Sequence, residues 1–251
     1  MRLRFGDAPR PRWDVGVICF RGPGGSEAVV KRLGARPVAG KALYGIEPSR
    51  ERPLVHETSV GDHRVVVVSE CVWGAPQAAI LVEELAGLGV RAVLGFGVAG
   101  GLVPELPKGT QIVALAASVT DGTSRAYTAA DEVMAEPGLA DMLRAAATRL
   151  GVPLVAVTVA TADALYRETP ADVRRWLALG ARAVNMETAP LYAAAAACGV
   201  RSLWLGHVSD SLLDDGAWDS WQRPAAFTDV TVELLAAFLG DLAGRRRSPS
   251  P

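Results

Sequence analysis

Apolar runs of strand length alternate along the chain with longer segments of helical periodicity. The runs at 14–20 and 64–71 predict strands, and the second of them has the continuous apolar character of a strand buried on both faces. The segment 76–88 predicts a helix, because its apolar residues form one stripe that leaves Glu83 and Glu84 on the polar side. Both kinds of element are therefore present in the first third of the chain.

The same two periodicities predict five more strands and five more helices, the strands at 91–96, 111–119, 153–160, 182–186 and 202–208, and the helices at 24–33, 138–150, 170–179, 189–198 and 225–242. Strands that alternate with helices at this spacing form sheets whose faces are covered by helices. The pattern predicts an α/β fold, a three-layer α/β/α sandwich with a central mixed, largely parallel sheet.

Composition is consistent with this fold and indicates how much of the chain the folded domain includes. Half of the 251 residues are hydrophobic, which excludes a disordered polymer, a collagen-like repeat and a disulfide miniprotein. The segment 1–244 shows neither an internal repeat nor a linker and predicts a single domain. The segment 245–251 is basic, rich in proline and without apolar residues, and it predicts a disordered tail.

Charge and cysteine content restrict partners and compartment. Lys and Arg total 26 against 27 for Asp and Glu, so no broad positive field favours nucleic acid as a partner. No apolar run is long enough to span a membrane, and the first residues lack the apolar core of a signal peptide. Three scattered cysteines beside apolar runs predict reduced, buried thiols in the cytoplasm, and together with three scattered histidines they give no metal-ligand spacing.

A glycine-rich segment at 95–101 follows a predicted strand and formally matches the dinucleotide-binding pattern G-x-G-x-x-G. That pattern requires a helix directly after it, to meet the pyrophosphate, whereas here two prolines and another strand follow. Two interpretations stay open. The segment is either a turn without side chains that a small ligand approaches closely, or a bend needed where strands cross.

Two carboxylates follow successive predicted strands. Glu187 stands where the strand 182–186 meets an alanine-rich helix, and Asp210 follows the strand 202–208 together with Ser209. Each has an ordinary structural explanation, Glu187 as a charge favoured by the helix dipole and the Ser-Asp pair as a helix cap. Ligands in α/β sheets gather at strand ends, however, so the two carboxylates are also candidates for one shared site.

Four short segments, taken together, resemble the nucleoside phosphorylase superfamily: 74–80 followed by 83–85, then 97–102, 184–188 and 208–210. The similarity is greatest to the branch with hexameric purine nucleoside phosphorylases, uridine phosphorylases and methylthioadenosine nucleosidases. It extends from about residue 15 to residue 239. The resemblance implies a small-molecule nucleoside as substrate, cleavage of its N-glycosidic bond, and a homo-oligomer, either a dimer or a hexamer.

The resemblance also implies roles for the two carboxylates. Cleavage develops positive charge on the sugar, so an anionic oxygen beside the ribose, from Glu187, would orient and stabilise the ring. The departing base gains electrons, so a proton delivered to a purine nitrogen by Asp210, with Ser209 orienting it, would lower the barrier. Further substrate-binding positions are carried over from the family in the same way, namely Met186 and Trp73 beside the ribose and Leu165 and Tyr166 beside the base.

The family's phosphate site is where this chain departs from the resemblance. The segment after the first strand reads Gly22-Pro-Gly-Gly-Ser26, with Ser26 where the phosphorylases have an arginine. Gly95 and Val98, on either side of Gly97, stand where the family has a second arginine and a hydroxyl residue. Arg21 beside the turn is a candidate replacement, and Arg36 or Arg52 could come from a neighbouring subunit.

Phosphate is the presumed acceptor and co-substrate, and no other cofactor is expected. Water is the alternative acceptor, because a serine cannot bind phosphate in the bidentate way that an arginine does. In that case the region offers only Glu27 as a base to activate the water. A nucleoside-binding protein without activity is the third possibility. Thr169 and Ala171 occupy the positions where uridine phosphorylases read the pyrimidine, which favours a purine.

Overall fold

The computed structural model describes residues 11–38, 43–46, 53–72, 74–212, 218–219 and 225–244. Its strands are β1 Val15–Cys19, β2 Arg36–Pro37, β3 Val55–Val60, β4 His63–Val68, β5 Ala92–Gly101, β6 Gln111–Ser118, β7 Glu132–Met134, β8 Leu154–Thr161, β9 Ala181–Asn185, β10 Arg201–Leu212 and β11 Trp218–Asp219. Its helices are α1 Pro23–Leu33, α2 Gly74–Gly87, α3 Pro137–Leu150, α4 Pro170–Ala178, α5 Thr188–Ala197 and α6 Ala225–Gly244. Short 3₁₀ turns lie at Ser124–Ala126 and Leu165–Arg167.

All the strands belong to one mixed sheet that closes partly on itself. Strands β4, β1, β5 and β10 are parallel neighbours, and β6, β8 and β9 form a second parallel group. Antiparallel pairing of β10 with β6 and of β5 with β9 joins the groups, so five strands complete a ring. Strands β3 and β2 extend the other end of the sheet in antiparallel order. The predicted α/β fold with a mixed central sheet is confirmed.

Helices cover the sheet in two groups. Helix α2 packs against α5, while α6 packs against both α1 and α3. Helix α5 is buried along almost its whole length, from Thr188 to Ala195. Its Tyr192 hydroxyl donates to the carbonyl oxygen of Ala114 at 2.6 Å and accepts from the backbone N–H of Trp204 at 2.9 Å. This tyrosine therefore ties the buried helix to two strands of the ring.

The glycine-rich segment is part of a strand and not a turn, because β5 continues through it to Gly101. Its glycines leave space for the fully buried indole of Trp204 on β10. A Cβ at Gly95 would lie 2.5 Å from Cδ1 of Trp204, and one at Gly97 would lie 3.0 Å from its Cζ2. The interpretation in which the glycines serve strand crossing and packing fits these residues.

Most predicted elements lie within a few residues of the observed ones, and the exceptions have physical causes. Strand β10 continues to Leu212, so Ser209 and Asp210 lie inside a strand and do not cap a helix. Strand β3 was missed because its sequence, VHETSV, is mainly polar. Glu84 is buried, contrary to the predicted stripe on α2, because its carboxylate accepts the backbone N–H groups of Tyr44 and Gly45 at 2.7 and 2.9 Å.

The remaining expectations about thiols, membranes and the tail have mixed outcomes. All three cysteines are free, but Cys198 at the end of α5 is exposed while Cys19 and Cys71 are buried. No helix in the described parts of the chain combines the length and the apolar character that a membrane span requires. The predicted tail at 245–251 lies outside the described residues.

The packing of Trp204 predicts that Gly95→Ala destabilises the protein. The added methyl would also lie 2.8 Å from Cδ2 of Leu191, so core side chains must shift, at a cost of about 1–3 kcal/mol in the free energy of unfolding. Urea denaturation measures this loss. Gly240→Ala on α6 is the matched control, since no atom lies within 4 Å of its added Cβ. Equal stability of the two variants would contradict the packing argument.

Candidate active site

Asp210 lies at a β-bulge in β10. The register of β10 against β5 shifts between Val208 and Asp210, so Ser209 is the extra residue. Bulges of this kind redirect side chains and are common beside active sites. The Asp210 carboxylate is buried and accepts two hydrogen bonds, from the Ser209 hydroxyl at 2.5 Å and from the indole N–H of Trp218 at 3.0 Å. The orienting contact expected from Ser209 is therefore present.

Glu187 lies in the short connection between β9 and α5. Asn185 shapes this connection, because its side-chain oxygen accepts the backbone N–H groups of Glu187 and Thr188 at 3.3 and 3.2 Å. The Glu187 carboxylate makes no capping hydrogen bond to α5 and instead accepts the N–H of Met186 at 3.1 Å. Burial raises the pKa of Glu187 to about 7, and the Met186 hydrogen bond lowers it only in part.

The sheet brings the two carboxylates together through Gly100 of β5. Gly100 pairs with Asp210 on one side and with Val184 of β9 on the other. Two strand spacings separate Asp210 from Val184, a distance of about 10 Å. A Cβ at Gly100 would lie 3.4 Å from the Asp210 carboxylate and 3.4 Å from the Val184 side chain. Because Glu187 follows β9 directly, it lies at the same part of the sheet as Asp210.

Glu168 is a third carboxyl at this site, and the sequence analysis missed it. It is half-buried and follows the 3₁₀ turn at Leu165–Arg167. The pKa of Glu168 is raised to about 7, chiefly by burial and then by the negative charges of Asp210 and Asp172. Tyr166 in the preceding turn is 94% exposed and Leu165 is 39% exposed. Glu168, and not Tyr166, is therefore the side chain of this segment that lies close enough to Asp210 to feel its charge.

Met186 contacts the start of helix α2. A Cβ at Gly74 would lie 3.5 Å from both Cβ and Cε of Met186, and Gly74 has the positive φ of +65° that glycine tolerates. The two segments of the family resemblance that contain these residues are thus adjacent. Trp73, the other expected ribose contact, lies outside the described residues. The charge of Glu187 also acts on the buried thiol of Cys71, which places the carboxylate beside this loop.

The region expected to hold the nucleophile forms where β1 ends beside the middle of β5. Phe20 donates its N–H to the carbonyl oxygen of Phe96 at 2.8 Å, so Arg21 and Gly22 leave the sheet next to Gly97. Gly22 then caps helix α1 without a side-chain hydrogen bond. The backbone therefore brings the two halves of the expected phosphate region together.

Ser26 has a structural role in this region. Its hydroxyl is buried, donates to the carbonyl oxygen of Arg21 at 3.0 Å and accepts the N–H of Glu70 at 3.0 Å. Glu70 is also the single non-glycine residue with positive φ (59°) among the described residues. Such backbone strain persists only where the surroundings enforce it. The Ser26 hydroxyl thus links two loops, and both of its hydrogen bonds are made to backbone groups of the protein.

Arg21 begins a chain of hydrogen bonds that leads away from α1. Its guanidinium lies 3.3 Å from Nε2 of His207 and donates to the Thr228 hydroxyl at 3.1 Å. The other imidazole nitrogen, Nδ1, lies 3.0 Å from the hydroxyl of Thr231. Burial, followed by the charge of Arg21, lowers the pKa of His207 to about 4. His207, which pairs with Val98 across the strands, is a neutral, buried core histidine.

A cavity of about 140 Å³ lies beside the Ser26 contact and is lined by Ser26, Glu27, Val30, Pro53, His56, Ser69 and Glu70. The side chains of His56 and Ser69 are buried, and each has a polar atom, Nδ1 and Oγ respectively, for which the described residues offer no hydrogen-bond partner. No group of three or more His, Cys, Asp or Glu side chains in the described ranges is arranged to hold a metal ion.

Comparison with known proteins identifies the family. Residues 17–242 match the sequence profile described as the phosphorylase superfamily. The chain belongs to the phosphorylase superfamily. A purine nucleoside phosphorylase DeoD-type of Caldanaerobacter subterraneus subsp. tengcongensis is 32% identical over 166 residues, which are 64% of this chain and 71% of the relative. The resemblance stated from four short segments is therefore confirmed.

Solved structures of this superfamily share the fold. Purine nucleoside phosphorylase from Toxoplasma gondii, in complex with immucillin-H, is 21% identical with a TM-score of 0.77, covering 93% of this chain and 92% of that one. The 5′-methylthioadenosine/S-adenosyl homocysteine nucleosidase of Campylobacter jejuni is 17% identical with a TM-score of 0.71, covering 92% and 98%. Phosphorylases and nucleosidases alike are thus among the superfamily members with this fold.

The raised pKa of Glu187 predicts a pH-dependent effect of Glu187→Gln on stability. An unfolded Glu titrates near 4.3, so the folded state holds this proton more tightly, and stability falls as pH rises from about 4 to above 7. Gln stays neutral, so at pH 8 the variant should have a higher melting temperature than the wild type. The rise should be about 2–4 °C for each kcal/mol of unfolding free energy that ionisation of Glu187 removes from the wild type. At pH 4 the two proteins should melt at the same temperature. Thermal denaturation at both pH values measures the difference. A constant difference in melting temperature would contradict the burial argument.

Proposed function

We propose that this superfamily member cleaves the N-glycosidic bond of a purine nucleoside, with phosphate as the acceptor. The observation that carries the proposal is that Asp210 pairs with Gly100 of β5 while Val184 of β9, the strand that leads to Glu187, pairs with Gly100 from the other side. One carboxyl can then contact the sugar while the other contacts the base. This separation of roles is what cleavage of a nucleoside requires.

Glu187 is the residue proposed to act on the ribose. As the bond to the base lengthens, the sugar ring gains positive charge, and an anionic oxygen nearby stabilises this charge more than it stabilises the ground state. The partly buried position of Glu187 strengthens the interaction because little water screens it. Met186, whose backbone N–H holds the carboxylate, is proposed to pack against the same sugar.

Asp210 is the residue proposed to act on the base. A purine leaves more readily when one of its ring nitrogens is protonated or receives a strong hydrogen bond as electrons flow into the ring. The Ser209 hydroxyl holds the Asp210 carboxyl, so its orientation is fixed before the substrate arrives. Each carboxyl oxygen of Asp210 accepts one hydrogen bond, from Ser209 or Trp218, and so keeps a further position for the base.

Phosphate as acceptor is supported by the printed name of the relative from Caldanaerobacter and by Arg21, whose guanidinium lies beside the nucleophile region. Water is the second candidate acceptor, and specific observations favour it. The Ser26 hydroxyl already makes two internal hydrogen bonds, and Gly95 has no space for the second family arginine because Trp204 fills it. Glu27 lines the cavity beside Ser26 and is the available base.

A nucleoside panel assayed with and without phosphate distinguishes the acceptors. Purified protein is incubated with adenosine, inosine, guanosine and uridine, and the free base and the sugar product are quantified by chromatography. Release of purine base together with ribose 1-phosphate, only when phosphate is present, is the expected result. Free ribose formed without phosphate identifies hydrolysis. Binding of a nucleoside without any base release would overturn the enzymatic proposal.

Asp210→Asn should lower the rate of base release by about 10²–10⁴-fold, because the amide cannot deliver a proton but keeps the shape of the side chain. Steady-state kinetics with the preferred purine nucleoside measures the loss. Asp141→Asn, which changes an exposed carboxylate on α3, is the matched control and should retain full activity. Wild-type rates in the Asp210 variant, with an unchanged melting temperature, would exclude this residue as the acid.

A further inference from the structure

The β-bulge at Ser209 places His207 and Asp210 on the same face of the sheet. Successive side chains of a regular strand alternate between the two faces, so residues 207 and 210 would otherwise face opposite sides. The bulge adds one residue, and His207 pairs with Val98 while Asp210 pairs with Gly100, two residues further along β5. The two side chains therefore leave one face of the sheet, separated by about 7 Å, the length of two strand residues.

Arg21 extends from the end of β1 to this face and meets His207. Its Nη1 lies 3.3 Å from Nε2 of His207, and its Nη2 donates to the Thr228 hydroxyl of α6 at 3.1 Å. A Cβ at Gly25 would lie 2.6 Å from Nε of the arginine, so the glycine leaves the space that the arginine side chain occupies. Because His207 pairs with Val98, the guanidinium lies beside the position where the family has the hydroxyl residue of its phosphate site.

The hydrogen bonds behind His207 determine which imidazole nitrogen carries the proton. The Gln111 amide nitrogen donates to two backbone carbonyl oxygens, at 3.1 and 3.3 Å, so the amide oxygen faces Thr231 at 2.6 Å. The Thr231 hydroxyl has one proton, and its two partners at 2.6 and 2.9 Å, the Gln111 oxygen and a backbone carbonyl oxygen, only accept. The hydroxyl oxygen therefore accepts from Nδ1–H of His207 at 3.0 Å. Nε2 is left to accept from Arg21, whose guanidinium only donates.

His207 is neutral in this position and so does not neutralise Arg21. The imidazole is buried, and burial, followed by the charge of Arg21, lowers the pKa of His207 to about 4. A neutral acceptor orients the planar guanidinium and keeps its charge, whereas a carboxylate partner would cancel that charge. The arrangement is thus suited to an oxyanion, which guanidinium groups bind through charge-assisted hydrogen bonds.

We propose that His207 is a positioning residue that orients the Arg21 guanidinium toward inorganic phosphate, and that this pair takes the place of the two family arginines that the chain lacks. The inference rests on the proposed function. A phosphate oxygen forms the bond to C1′ of the sugar as the bond between C1′ and the base breaks, and the electron pair of that bond stays with the base. The base takes a proton from Asp210, and the proton of hydrogen phosphate replaces it. The separation of His207 from Asp210 fits this step, because the base leaves on one side of C1′ while the acceptor enters on the other.

Arg21→Met tests the phosphate contact. Its affinity for inorganic phosphate, measured by titration calorimetry, should fall by about 10–100-fold, because hydrogen bonds to a charged group are lost. KM for phosphate should rise by a similar factor, while KM for the nucleoside stays unchanged. Arg201→Met, at the exposed start of β10, is the matched control and should keep the wild-type constants. Wild-type affinity for phosphate in Arg21→Met would overturn the inference.

Thr231 tests the positioning role of His207 without touching the phosphate. Thr231→Val keeps the shape of the side chain but cannot accept from Nδ1–H, so KM for phosphate should rise by about 3–10-fold with KM for the nucleoside unchanged. Thr231→Ser keeps the hydroxyl and should restore the wild-type value. Thr148→Val, which removes an exposed hydroxyl on α3, is the control. A lower melting temperature in Thr231→Val with both KM values unchanged would show a purely structural role and contradict the proposal.

Calorimetric binding of phosphate needs no turnover, so it separates this inference from the proposed function. If the wild type forms no ribose 1-phosphate but binds phosphate, and Arg21→Met and Thr231→Val weaken that binding as expected, the proposed function fails and the roles of Arg21 and His207 stand. If ribose 1-phosphate forms and both variants bind phosphate like the wild type, the assignment of this pair fails alone. If the wild type neither binds phosphate nor forms ribose 1-phosphate, both fail.

Discussion

The close contact between the indole of Trp204 and the glycines of β5 is the constraint on which the rest of the structure depends. Side chains on Gly95 or Gly97 would occupy the volume of this indole, and a Cβ on Gly206 would lie 2.4 Å from the carbonyl oxygen of Gly97. Strand β5 pairs with β10 along this contact and with β9 just beyond it, at Gly100 and Gly101, and the ring of five strands closes there. The positions of Asp210 and Glu187 follow from that closure.

Partial burial, which keeps water away from the carboxyls, is the feature that the ionisable groups of the site share. Burial is the first cause of the raised pKa of both Glu187 and Glu168, and these carboxyls therefore titrate near neutrality, where ordinary glutamates are fully charged. The Asp210 carboxylate is held by two donors, the Ser209 hydroxyl and the Trp218 indole N–H. Carboxyls with different surroundings thus lie in one region of the fold, which suits the separate roles proposed for Glu187 at the sugar and Asp210 at the base.

The sequence predicted the alternation of strands and helices because period-2 and period-3.6 patterns are local properties. It also predicted one shared site for Glu187 and Asp210 at successive strand ends, and the strands that carry or precede them, β10 and β9, pair with β5 from opposite sides. Strand β3 escaped detection because its pairing with β4, not its composition, makes it a strand. Glu168 could not be found either, since Asp210, whose charge acts on it, belongs to a distant strand and only the tertiary structure relates the two.

The bridge made by Ser26 has an evolutionary consequence. Its hydroxyl satisfies a carbonyl group at Arg21 and an N–H group at Glu70, and the latter residue holds a backbone conformation that needs support. An arginine introduced at this position alone would leave both backbone groups without their partner, at a cost of about 1–3 kcal/mol for each buried group. Return to the arginine of the phosphorylases therefore requires coordinated changes in two loops, and single substitutions cannot readily reverse the departure.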